Sequence, residues 1–288
     1  MMRGASNWAV AVRKPDGEIA QVARTIDPLM ARHWTMRLPI VRGVIALGES
    51  LSIGFRALSV SANYAAADAA EGDSEPEEIG RWAIFFSFAV AIGFTVMLFK
   101  VSPALLTDLL PISNGVWFVL VEGLIRVAIF VGYLALLSLI PSLRRVFQYH
   151  AAEHKAINAY EAGEELTPEI TQSYSLIHPR CGTAFLLWVM VIGVFVFALF
   201  GRLPILWLIV TRIAFLPVIA GLAYELIRYA GKHTGNRTLM TLLAPGLWLQ
   251  RLTTREPTLD QIEVSIRALQ EVLRVEGATP ESRVEVMA

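Results

Sequence analysis

The chain has 288 residues, of which 55% are hydrophobic and only 17% charged, with a mean hydropathy of +0.53; this is too apolar for an ordinary water-soluble domain of its length. The formal net charge is zero, so no basic excess points to nucleic acid as a partner. Cys181 is the only cysteine, which excludes an intramolecular disulfide and leaves the thiol as a small buried group, a nucleophile or a metal ligand.

Met1 to Arg37 is polar and basic, without an apolar core of signal-peptide length; cleavable export is not expected, and the first span acts as its own insertion signal. Trp8 to Arg13 and Glu18 to Arg24 are β-prone runs around Lys14-Pro15-Asp16-Gly17, which predicts a small β-hairpin. From Val41 to Ala62, Val44, Leu47, Leu51, Phe55 and Leu58 share one helical face, and Arg42, Glu49 and Arg56 the opposite one. That pattern predicts an amphipathic helix, lying in the membrane interface or packed on the bundle, unless its charged stripe faces a functional site. An acidic break follows at Asp68 to Glu78.

Trp82 to Phe99 is uncharged and close to the ~20 residues that cross a hydrocarbon core. Val116 to Ile140 is a second predicted span, although Glu122 and Arg126 lie one helical turn apart within it. They form either a buried structural ion pair or part of a substrate or proton path. Ala184 to Phe200 and Pro204 to Tyr224 are the third and fourth predicted spans, a helical hairpin closed by Gly201-Arg202-Leu203. Arg212, inside the fourth, requires a partner or a wet cavity. Leu239 to Leu249 is about half a span and contains Pro245 and Gly246, which suggests an interfacial or re-entrant element. Thr258 and Gln261 have capping-box spacing before an amphipathic helix to about Val275, and a disordered tail is expected after Gly277.

Lys and Arg gather before the first span, between the second and third, and after the fourth; the positive-inside rule then places both termini and Pro141 to Thr183 in the cytoplasm. The predicted fold is mainly α, a polytopic transmembrane helical bundle of about four spans with a small N-terminal β-hairpin and cytoplasmic amphipathic helices. Its segments are the hairpin (1–40), amphipathic helix and acidic linker (41–80), first two spans (81–140), a cytoplasmic metal-site segment (141–183), last two spans (184–225) and a C-terminal cytoplasmic segment (226–288). Membrane lipids are its expected surroundings.

The chemistry concentrates in the fourth of these segments. Gln148 to Lys155 contains no Pro or Gly and favours a helix, on which His150 and His154 stand one turn apart on one face and can share a metal ion. Glu153 borders that face, and the order H-x-x-E-H is the inverted zinc-peptidase pattern, in which the glutamate serves as general base. His178-Pro179-Arg180-Cys181-Gly182 is similar to a zinc-knuckle turn with histidine for the first cysteine, Gly182 being suited to a positive φ. Three of the five histidines and the only cysteine thus fall between positions 150 and 181. Thiolate with imidazole favours zinc over magnesium or calcium. The plainer alternatives are a solvated helix face, a helix-breaking turn and a buried thiol. Glu161 lies too far along the helix to share one ion with His154, so it either ends the helix before Gly163 or makes a contact outside the ligand set. Glu225 could return to the same face or pair with Arg228.

Met2-Arg3-Gly4, Trp8 to Gly17, Phe147 to Glu161, His178 to Gly182 and Ala244 to Pro257 resemble the YqhQ-like family of bacterial polytopic membrane proteins over nearly the whole chain. The resemblance implies the inner (plasma) membrane of a bacterial cell and a metal-dependent enzyme of unestablished substrate; members usually carry a further glutamate just before the Met-Met-Arg-Gly block, so either the start lies upstream or that glutamate is dispensable. Three functions follow as expectations. A membrane metal hydrolase, such as a peptidase, would use His150 and His154 with His178 or Cys181 as ligands and Glu153 as base. A scaffold or assembly factor would close four ligands around a structural zinc. A transporter would be built on Glu122, Arg126 and Arg212.

Overall fold

The computed structural model describes residues 1–14, 16–70, 81–201 and 203–277. Pro15 of the hairpin turn, the acidic break from position 71 onward, Arg202 and the tail beyond Gly277 lie outside the described residues. The two β-prone runs form strands β2 (Asn7–Arg13) and β3 (Ile19–Thr25), paired antiparallel from Asn7↔Thr25 to Arg13↔Ile19. Gly17 supplies the left-handed turn residue, at φ 89°. A further strand, β1 (Met2–Arg3), pairs with the other edge of β2, so the sheet has three strands in the order β1-β2-β3. Two residues carry no readable period, which is why the sequence predicts only the hairpin.

Helix α1 (Leu29–Arg32) and a 3-10 turn (Trp34–Arg37) lead into α2 (Val41–Ala70). The two faces of α2 divide as predicted, and the apolar one is turned outward: Leu51, Phe55 and Leu58 are 60%, 59% and 67% exposed. Two of its three charges turn inward, Glu49 to Arg3 at 2.6 Å and Arg42 to Glu225, while Arg56 is exposed. Ile53 and Ala57 pack on Trp8 and Val10 of the sheet. At the start of α2, Gly43 meets Tyr224, and Gly221 lies so close to Ile40 that a Cβ there would stand 2.7 Å from the Ile40 Cα.

Helix α3 (Arg81–Val96) continues through a π turn (Met97–Val101) into α4 (Ser102–Asp108). Asn114 caps α5 (Gly115–Ser138), accepting from the Val116 and Trp117 amides. Then come α6 (Pro141–Ala162), the short α7 (Pro168–Gln172), α8 (Gly182–Ala198), α9 (Ile205–Lys232), α10 (Arg237–Thr253) and α11 (Leu259–Glu276). Among the described residues, four stretches are long and apolar enough to cross a membrane: Val41–Tyr64, Ala89–Asp108, Gly115–Ser138 and Ile209–Lys232. This set differs from the predicted spans. Part of α2 joins it because its three charges are spread over 24 apolar-rich residues, and the first predicted span shifts forward because the helix runs on past Lys100. Gly182–Ala198 is apolar but shorter, at 17 residues.

Leu239 to Leu249 lies within α10, which is continuous through Pro245 and Gly246. Pro245 sacrifices one backbone bond, and Gly246 admits α8, where a Cβ would meet Ala184 Cβ at 3.3 Å. The capping box of α11 is present as predicted, Thr258 accepting from the Gln261 amide and Gln261 from the Thr258 amide. This helix buries Ile262, Ile266, Leu269 and Val272 against Met2, Ala9 and the α6 residues Ala152, Ala156 and Ile157. The first and last described elements thus enclose the helix that carries the H-x-x-E-H motif.

Candidate metal centre

Helix α6 follows α5 after Leu139 and Ile140 and ends at Gly163, which is left-handed at φ 81°. One face of it grips the returning chain. Lys155 Nζ donates to the Gln172 and Tyr174 carbonyls at 2.5 and 2.8 Å and pairs with Glu256 at 2.9 Å. Asn158 donates to the Ser175 and Ile177 carbonyls at 2.9 and 3.1 Å. Buried Gln250 on α10 then receives the His178 amide and donates to the His178 carbonyl, both at 2.9 Å. These contacts deliver Cys181, the N-cap residue of α8, to the histidine pair.

His150, His154 and Cys181 present ligand atoms that all lie within 4.8 Å of one another, and among the described residues they are the set that could hold a metal ion. His150 Nδ1 bonds the Thr253 carbonyl at 2.9 Å, which places the proton on Nδ1 and turns Nε2 to Cys181 Sγ at 3.2 Å. His154 Nδ1 donates to the Leu176 carbonyl at 2.6 Å. Its Nε2 is buried, lies beside Cys181 and makes no hydrogen bond of good geometry, a costly arrangement for a lone pair unless a cation takes it. Both imidazoles are therefore oriented in the manner of metal-binding histidines, each with its remote nitrogen tied to a carbonyl.

Electrostatics describe a thiolate–imidazolium pair in the ion-free fold, whose shared proton a bound ion would displace. Burial alone would lower the His150 pKa, but hydrogen bonding to Cys181 and the nearby Glu153 charge raise it to about 9. Burial would raise the Cys181 pKa, but the two neighbouring imidazoles bring it well below the usual thiol value. The thiolate is the form a soft cation requires.

The other predicted residues are distributed around this centre. His178 is buried but outside the triad, its ring centroid 6.0 Å from that of His154. Its Nδ1 accepts from the Arg180 amide at 3.4 Å and its Nε2 faces Glu161 at 3.5 Å, so both nitrogens are occupied. Burial first, and then the His154 charge, lower its pKa to about 4. Glu161 also bonds Arg180, outside the triad. Gly182 opens α8 without a positive φ, so the turn departs from the knuckle pattern because Cys181 is a helix cap rather than a hairpin residue. Glu153 Oε1 meets the Met1 amino group. Glu225 is gripped by Arg42 through both carboxylate oxygens, with the Arg228 charge also close enough to lower its pKa, and it stands outside the triad.

Glu122, Arg126 and Arg212 meet away from the triad. Arg126 takes one oxygen of Glu122 and Arg212 the other at 3.0 Å. Arg126 Nε also donates at 2.9 Å to the Phe99 carbonyl in the π turn. Arg212 therefore has the partner that its place in a span required. Lys155, Asn158 and Gln250 were missed by sequence reasoning. The available signal was Asn158 one helical turn beyond His154, which does not reveal that its partners are distant carbonyls, and Lys155 and Gln250 carried no comparable signal.

A family described as proteins of unknown function, DUF1385, matches residues 38–275. The uncharacterized protein YqhQ of Bacillus subtilis (strain 168) is 34% identical over 296 residues, covering 98% of this chain and 92% of that protein. No solved structure matches. With the family match extending over most of its length and the relative over nearly all of it, this chain belongs to the YqhQ-like DUF1385 family of helical membrane proteins.

Proposed function

We propose that the chain is a membrane-embedded, metal-dependent hydrolase whose ion, zinc, is held by His150, His154 and Cys181 on the cytoplasmic side. The observation that carries this reading is the buried, unsatisfied Nε2 of His154, aimed at the same centre as His150 Nε2 and Cys181 Sγ. Three protein ligands, rather than the four of a closed structural site, suit chemistry, because a position remains for a reactant. Bound there, zinc would supply Lewis acidity and make water acidic enough to be deprotonated near neutral pH.

The protein's own residues would do the rest. The Leu176 and Thr253 carbonyls hold both imidazole rings at Nδ1, which leaves the Nε2 atoms to face the centre. Glu153, one residue from His154 and close enough to raise the His150 pKa, is the proton acceptor on this face.

A closed scaffold site is the second reading. It draws on the way the histidine anchors tie α6 to the loop before α8 and to the end of α10. A transport role finds less support, since both Glu122 oxygens are engaged by guanidiniums, as in an internal clamp.

Purified protein is expected to hold about one zinc per chain by elemental analysis, with His150→Ala or His154→Ala removing it; stoichiometric zinc in both variants would sink the metal site. Glu153→Gln then separates enzyme from scaffold. The hydrolase reading expects zinc retained but complementation of a deletion phenotype lost as fully as in His150→Ala. A fully functional Glu153→Gln protein would shift the assignment to the scaffold.

A further inference from the structure

Beside the metal centre lies a cavity of about 180 Å³, enclosed by β1, α2, the start of α8 and the end of α9. Arg180 and Gly182, the neighbours of Cys181 on either side, both line it, so the space begins one residue from the thiol. Its wall has two chemistries: Arg3, Arg180 and Arg228 are cationic, whereas Leu47, Phe185 and Ile227 are apolar.

The cationic end is a built site. Arg3 is only 6% exposed, and its Nε is buried without a hydrogen-bond partner although its other nitrogens hold Glu49 and Ser50. Around the cavity, Arg3 is matched by Glu49, Arg180 by Glu161, and Arg42 by Glu225. Arg228 adds a fourth guanidinium to three carboxylates, so the local charge exceeds neutrality by one. One anionic group would cancel that excess in a partly desolvated place, where the attraction is strong.

The apolar end has an outlet. Leu47 lines the cavity and also belongs to the outward apolar face of α2, with Leu51, Phe55 and Leu58. A chain seated in the cavity would continue onto that face into hydrocarbon.

From this placement we propose that the cavity binds the anionic headgroup and proximal acyl chain of a single-headed membrane amphiphile, a lipid phosphate monoester or its like, and that this is the substrate class presented to the metal centre. The binding claim stands without the hydrolase reading; only the word substrate rests on it.

The test uses the full chain in neutral detergent, titrated with phosphatidic acid, phosphatidylcholine of the same chains and inorganic phosphate, with zinc measured on each sample. Phosphatidic acid is expected to bind at least tenfold more tightly than either control. Arg228→Gln should weaken it about tenfold. Leu47→Trp, which fills the apolar end while retaining every charge, should weaken it similarly with zinc unchanged in both variants. Equal affinity for the two lipids, inorganic phosphate binding as tightly as phosphatidic acid, or unaltered binding in the two variants would overturn the proposal. Lipid selectivity in a protein without zinc would leave the cavity assignment standing and remove the metal reading alone. Zinc retained without lipid selectivity would do the reverse.

Discussion

His150 and His154 are equivalent in the sequence pattern, but their environments set different tasks. His150 shares its proton economy with Cys181, while His154 holds out an unsatisfied lone pair. Cys181→Ser is accordingly expected to weaken zinc binding, since a hydroxyl is a poorer ligand than a thiolate for a soft-tolerant ion; a competition titration with a chromogenic chelator reads it. His178 provides the contrast. Both its nitrogens are occupied within the fold, so His178→Gln should leave zinc stoichiometric. The same residue gives stability a pH dependence. With a folded pKa of about 4 against an ordinary 6.5, the unfolded chain takes up the proton first. Stability is then lost as pH falls between those values, by roughly 3 kcal/mol in all. The unfolding temperature in detergent should fall over that window and fall less in His178→Gln; identical slopes would refute it. The H-x-x-E-H order and the lone cysteine were legible because helical spacing is local. Which pair of ring nitrogens would be occupied was not, since their partners are carbonyls and a carboxylate brought in by folding.

At the level of elements, apolar length located α5, α8 and α9 and amphipathic pattern α2 and α11, yet neither states which face meets the protein. The apolar stripe of α2 looks like a core face in a soluble chain, whereas here it turns outward and the charges Arg42 and Glu49 fasten the helix inward. In a membrane protein, inward charge with outward leucine is the lower-energy choice, because lipid accepts the leucines and only protein can pair the ions. The junction of α2 with α9 was equally silent. Ile40 adopts φ 71°, a left-handed conformation that a β-branched residue rarely takes, and it is pressed against Gly221. A methyl at Gly221 would meet the Ile40 backbone at 2.7 Å. Gly221→Ala is therefore expected to destabilise the protein by about 1–3 kcal/mol, as overpacking does. A thermal shift in detergent measures it, and an unchanged midpoint would mean that the two helices separate more easily than this contact implies.

For the whole molecule, composition alone announced a membrane protein, and the four long apolar helices among the described residues agree. The union of the two ends of the chain was not legible, because no periodicity connects residues so far apart. Asn7 Nδ2 donates to the Val272 carbonyl at 3.2 Å, and the Ser6 amide bonds Glu276 at 2.6 Å. A protein ending at Pro257 would uncover Met2, Ala152 and Ile157, which α11 now buries. It is expected to lose zinc and to be cut within α6 by limited proteolysis, while a shortened protein with stoichiometric zinc would contradict that dependence. The same closure imposes an order on biogenesis. At about 5–20 residues per second, on the order of ten seconds of translation separate His150 from Glu276. Throughout that interval the β-sheet lacks its cover, and for most of it the His150 ring lacks its Thr253 anchor. On the metal reading proposed above, a nascent chain would insert its helices long before it could hold the ion, and the ribosome's last stretch of work would set when the site is complete.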